Sequence, residues 1–119
     1  MHQYDLKNKT AVITGGAQGF GLDIAKKFLS FGAKVFIWDI DENELIKATK
    51  EINNPNLEYN LVDVSNFQQI ESTVKKIITN NKIDILINNA GITGPTKELW
   101  NYNIDDWNKI IEINLHGTF

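Results

Sequence analysis

Apolar runs of strand length alternate with helical patterns along this chain. Ala11 to Thr14 is a first β-type run, and it stops at a cluster of glycines. A helical pattern follows from about Phe20 to Phe31. Phe20, Ile24, Phe28 and Phe31 share one stripe, and Gly32 is its stop. Lys34 to Trp38 is a second strand. Asp41 with Glu44 resembles a capping box, for a helix that carries Leu45, Ala48, Thr49 and Ile52 inward. Asn53-Asn54-Pro55-Asn56 breaks that helix, and Leu57 to Val62 is a third strand. Ser65 with Gln68 predicts the next cap, ahead of Phe67, Ile70, Val74, Ile77 and Ile78 at helical spacing. Ile83 to Asn88 is a fourth strand, and a loop runs from about Ala90 to Tyr102. Asn103 caps a last helix, with Tyr102 and Trp107 placed as a hydrophobic staple.

The order is therefore β-α-β-α-β-α-β-α. Such alternation predicts an α/β fold, a doubly wound parallel sheet of Rossmann type with about four strands. The glycine turn after the first strand marks a crevice at the carboxyl ends of the strands. Length and charge narrow the function. The 119 residues suit one domain, with a net charge of −3. A nucleic-acid partner is not expected from that charge. No apolar run is long enough to span a bilayer, and the first residues lack the pattern of a signal peptide, so the expected compartment is the cytoplasm. The chain holds no Cys and pairs no second His with His116, so no metal is expected. All twelve basic residues are Lys, which rules out a bidentate Arg clamp on a phosphate.

The candidate chemistry sits at the strand ends. Thr14 to Gly21 reads T-G-x-x-x-G-x-G between a predicted strand and a predicted helix. Gly15 allows the sharp turn, and Gly19 and Gly21 let backbone approach a pyrophosphate, toward which the helix aims free N–H groups. The alternative is a tight turn with no ligand. Asp39 ends the second strand, where the adenosine ribose of a dinucleotide would lie. A carboxylate there accepts from both ribose hydroxyls and repels a 2′-phosphate. With apolar Ile40, neutral Gln18 and no Arg, the residues favour NAD over NADP; the alternative for Asp39 is a solvated turn. Asp63-Val64 offers a carboxylate beside a backbone N–H, suited to an adenine edge, although Asp also favours such turns. Asn88-Asn89-Ala90-Gly91 can hold neighbouring strands or touch a ribose, and alone would pass as an ordinary turn. Asn114 falls on the apolar stripe of Trp107, Ile110, Ile111 and Leu115. It reads either as an interior amide bonded to backbone or as a group that binds an active-site water.

Together these residues resemble the short-chain dehydrogenase/reductase family, from about Lys7 to Phe119. The resemblance implies that Gly15, Gln18, Gly19, Phe20 and Gly21 form the cofactor loop. It implies that Asp39 and Ile40 select NAD, that Asp63 and Val64 meet the adenine, and that Asn89, Ala90 and Gly91 form the N-N-A-G turn. It also implies that Asn114 is the Asn of a catalytic tetrad. The tetrad's Ser and Tyr-x-x-x-Lys follow this Asn in the family. Here Tyr4, Tyr59 and Tyr102 all precede it, and none has a Lys four residues later. The chain is therefore read as the N-terminal part of such an enzyme, cut short: a single incomplete domain over residues 1–119, its fourth strand an open edge. The expected reaction is hydride transfer between NAD and a secondary alcohol or ketone, on a small-molecule substrate such as a sugar acid, by a full-length protein that is a homo-oligomer. The 119 residues alone are expected to be inactive. The runner-up is a 3-oxoacyl-acyl-carrier-protein reductase, a class that mostly uses NADP. A non-catalytic NAD-binding module is the reading from another class.

Overall fold

The computed structural model describes residues 5–90. Seven elements alternate: β1 (Thr10–Thr14), α1 (Gly19–Ser30), β2 (Lys34–Asp39), α2 (Glu42–Ile52), β3 (Leu57–Leu61), α3 (Phe67–Ile78) and β4 (Ile85–Asn88). The strands form one sheet in the order β3-β2-β1-β4, with every pairing parallel. The Rossmann-like expectation holds. The expected loop after Ala90, the expected last helix with Asn114 and its staple, and Gly91 lie outside the described residues.

Side chains leave a strand alternately to its two faces, so each central strand feeds two cores. Ile13, Val35 and Ile37 point to one face, where Ala25 and Leu29 of α1 and Leu45 and Ala48 of α2 cover them. Val12, Phe36 and Trp38 point to the other, under Ile77 of α3 with Ile70 and Val74 beside it. β1 is buried along its whole length, as a central parallel strand must be. β4 alternates half-buried with exposed positions and is the last described strand on its side.

The helix ends follow local chemistry, with corrections to the expected registers. Asp41 caps α2 as expected, its Oδ1 accepting from the Glu44 N–H at 3.1 Å. Ser65, however, does not cap α3. Its hydroxyl and N–H both donate to Asp63 Oδ1, at 2.6 and 2.9 Å. That leaves Asn66 as the cap, accepting from the Gln69 N–H at 3.1 Å. Phe67 then falls outward and is 72% exposed, and Ile78 at the far end is 53% exposed.

Phe20 also departs from its expected inward place and is 82% exposed. α1 meets the sheet along Gly21, Ala25 and Leu29, with Ile24 and Phe28 on its shoulder. Small residues set that seam, and a residue next to Gly21 is turned about 100° away from it. β4 starts at Ile85 and not Ile83. Just before it, the Asp84 carboxylate accepts from the Thr10 N–H at 3.0 Å while the Asp84 N–H donates to the Thr10 carbonyl at 2.9 Å.

Candidate functional site

The turn between β1 and α1 stands at the carboxyl end of the sheet, held on both flanks. Toward β2, the Gly16 N–H donates to the Trp38 carbonyl at 3.1 Å, and the Ala17 N–H donates to Asp39 Oδ2 at 3.2 Å. Asp39 Oδ1 accepts from the Asp41 N–H at 3.2 Å. Toward β4, Asn89 Nδ2 donates to the Gly15 carbonyl at 3.1 Å. The Thr14 hydroxyl oxygen accepts from the N–H groups of Asn89 and Ala90, each at 3.0 Å, and lies 3.4 Å from the Ile87 carbonyl as donor. Buried backbone groups need partners, and here side chains from three strand ends supply them.

The glycines divide two tasks. Gly21 is buried, and a Cβ there would lie 2.3 Å from the Gly15 carbonyl oxygen and 2.6 Å from Asn89 Nδ2. It serves the approach of helix to turn. Gly19 has φ +62, and a Cβ there would meet nothing within 4 Å among the described residues. It opens on free space at the start of α1. That helix has no side-chain cap, and no acidic residue stands in its first turn. Its first N–H groups and positive dipole end are thus available to an anion.

Beside this turn lies a cavity of about 680 Å³. Gly15, Gln18, Asp39, Ile40, Asp63, Val64, Asn89 and Ala90 line it, so eight of the residues singled out in the sequence converge there. Gly19, Phe20 and Gly21 do not line it, and Gly91 and Asn114 lie outside the described residues. Asp41, Glu42 and Asn43 from the start of α2 join the wall, with Trp38 and Val62 beneath. Among the described residues, four lining side chains are carboxylates and none is a cation, which makes this wall of the cavity strongly acidic.

Hydrogen-bonding capacity remains in that wall. The Asp63 N–H is taken by Gln69 Oε1 at 2.8 Å, and Asp63 Oδ1 by Ser65. Among the described residues nothing donates to Asp63 Oδ2, and the adjacent Val64 N–H has no partner. An acceptor beside a donor suits the edge of a heterocyclic base. Asp39 likewise keeps one acceptor position on each oxygen, because a carboxylate offers about four. The parts present thus fit a nucleotide: donors for an anion, acceptors for hydroxyls, and a paired edge for a base.

Thr14 and Gly16 were missed as site residues. Thr14 is 5% exposed and ties the ends of β1 and β4 together through one hydroxyl. A polar side chain closing an apolar strand was the available signal. A Cβ on Gly16 would lie 2.6 Å from Ile37 Cγ2, a contact across strands that no local pattern announces.

A family model described as short chain dehydrogenase matches residues 9–119. The chain is 34% identical over 112 residues to a 2-dehydro-3-deoxy-L-rhamnonate dehydrogenase (NAD(+)) from Sphingomonas, covering 93% of this chain and 44% of that protein. It is 36% identical over 118 residues to a 3-oxoacyl-acyl-carrier-protein reductase from Chlamydia muridarum, covering 96% of this chain and 47% of the relative. Among solved structures, a 3-ketoacyl-(acyl-carrier-protein) reductase from Brucella melitensis complexed with NADH superposes with a TM-score of 0.88 at 32% identity. That match covers 95% of this chain and 46% of the other. The chain thus spans under half the length of these relatives. With the glycine turn, the parallel sheet and a family match over nearly its whole length, the chain belongs to the short-chain dehydrogenase family of oxidoreductases.

Proposed function

We propose that residues 1–119 form the NAD-binding part of an NAD-dependent short-chain oxidoreductase acting on a secondary alcohol or ketone. The observation that carries this reading is the pairing of a glycine-opened helix start, without a side-chain cap among the described residues, with a cavity that those residues line with four carboxylates and no cation. The first feature suits a pyrophosphate. The second suits the two hydroxyls of an adenosine ribose and disfavours a 2′-phosphate, hence NAD over NADP. The NAD(+)-named dehydrogenase among the relatives and the NADH-bound neighbour support the same choice.

In this reading the N–H groups at the start of α1, opened by Gly19, hold the pyrophosphate. Asp39 accepts from the ribose hydroxyls, and Ile40 and Gln18 leave no cation for a further phosphate. Asp63 Oδ2 and the Val64 N–H meet the adenine edge. Asn89, Ala90 and Gly91 border the second ribose, and Phe20 stands exposed at the mouth of the turn. When bound, the nicotinamide supplies hydride exchange with the substrate carbon. Asn114 is assigned the water-holding role its family position implies.

A second reading keeps the cofactor part and changes the substrate to a 3-oxoacyl thioester on a carrier protein. It is favoured by the 36% identity to the Chlamydia reductase. Titration of the 119-residue chain with NADH and with NADPH, followed by nicotinamide fluorescence, tests the cofactor claim. NADH is expected to bind at least about tenfold tighter, the range of one charged hydrogen-bond contact. Equal or tighter NADPH binding would overturn the preference.

A further inference from the structure

Asp39 does more than face a ligand. Its carboxylate is the acceptor for the Ala17 N–H, at 3.2 Å, and for the Asp41 N–H, at 3.2 Å. Ala17 is 2% exposed, so in the intact turn the Asp39 carboxylate and not water satisfies its N–H. The neighbouring Gly16 N–H is already committed to the Trp38 carbonyl. Two consecutive N–H groups of the glycine turn are thus fastened to the end of β2, one by backbone and one by the Asp39 side chain. On the opposite flank Asn89 holds the Gly15 carbonyl. The turn is slung between an acceptor on β2 and a donor just past β4.

We propose that Asp39 is a positioning residue for the anion-binding turn, a role separate from any contact it makes with a ribose. The part of this claim that concerns ligands rests on the nucleotide reading above; the part that concerns the turn does not. One carboxylate can fill both roles, because two of its acceptor positions serve the backbone and two remain. Replacing Asp39 would therefore do more than remove a repulsion toward a 2′-phosphate. It would release the turn that holds the pyrophosphate common to both cofactors, and Asp41, Glu42 and Asp63 would still line the cavity.

The test uses the 119-residue chain and two readouts. The first is hydrogen exchange at the Ala17 amide without ligand, followed by NMR. In wild type this amide is expected to exchange slowly. In Asp39→Ala it is expected to exchange about tenfold faster, while Val12 and Ile13 in β1 keep their protection. An Ala17 amide that exchanges as freely in wild type as an exposed loop amide overturns the proposal, even if the variant does not fold. So does unchanged exchange in the variant.

The second readout is binding of a dideoxyadenosine diphosphate, which lacks both ribose hydroxyls. A residue that only contacts ribose leaves this complex untouched when removed, and loss of its negative charge would favour an anionic probe. Positioning predicts the opposite, a dissociation constant about tenfold higher in Asp39→Ala. Equal or tighter binding by the variant overturns the proposal. If wild type binds neither this probe nor NAD, the nucleotide reading fails, and exchange at Ala17 alone decides the role of Asp39.

Discussion

The two ends of the sheet are built in opposite ways. At the carboxyl end the chain is crowded. Gly16 and Gly21 have no room for a Cβ, and Thr14, Asp39 and Asn89 each bond backbone from another segment. At the amino end a depression of about 420 Å³ is lined by Lys9, Lys34 and Lys82, with Asn8, Asn56, Asn80 and Asn81 between them. The charges differ as well: among the described residues, four carboxylates and no cation line the cavity at one end, and three lysines with the single carboxylate of Asp84 line the depression at the other. Asp84 is itself committed to the Thr10 N–H. The contrast teaches where change should be costly. Short polar side chains bonded to backbone define a geometry, whereas long lysines on open surface define only a charge.

The largest effect is expected at Gly21. A methyl group there would meet the Gly15 carbonyl oxygen at 2.3 Å and Asn89 Nδ2 at 2.6 Å. The first is backbone, so helix and turn must separate. Gly21→Ala is expected to cost about 3 kcal/mol, the upper range for overpacking a close-packed site. Urea unfolding measures that cost, and nucleotide binding should be lost with it. A variant of wild-type stability would mean that α1 can shift freely, and the crowded end would not be the rigid one.

Thr14 offers a milder break. Thr14→Val keeps the shape and removes an oxygen that accepts from two N–H groups. Leaving the Ala90 N–H without a partner, and the Asn89 N–H with only the Ile87 carbonyl at 3.2 Å, should cost about 2 kcal/mol, whereas Thr14→Ser should recover most of the loss. The same unfolding experiment reads both. Equal stabilities for Val and Ser would show that the strand ends are held by pairing alone.

These two residues also mark the limit of what the sequence made legible. The glycine turn, the acid ending β2 and the alternation of strand and helix were readable because each depends on neighbours in the chain. The tasks of Gly19 and Gly21 were not separable in that way. One faces open space and the other the Gly15 carbonyl, a difference set by how α1 approaches β1. Ser65 and Gln68 made a plausible cap, but Asp63 captured Ser65 and moved the cap to Asn66. Phe20 fitted a stripe of the right period, yet the seam runs through the smaller Gly21 and Ala25. Periodicity locates a face to within a residue; packing chooses which residue.

The smallest effect is expected at the amino end, and it is the control that gives the comparison its meaning. Lys82 is exposed, lines the lysine-rich depression and makes no ion pair among the described residues. Lys82→Gln removes one positive charge and keeps most of the side chain's length. The change in stability should stay within about 0.5 kcal/mol, as for surface substitutions away from special features. NADH affinity should be unchanged too, because the depression lies at the opposite ends of the strands from the glycine turn, and salt screens exposed charges over about 10 Å. Both are measured by the unfolding and fluorescence titrations used above. Should Lys82→Gln weaken NADH binding as strongly as a change at the carboxyl end, the affinity would depend on the field of the whole molecule. The contrast between a built site and a merely charged surface would then collapse.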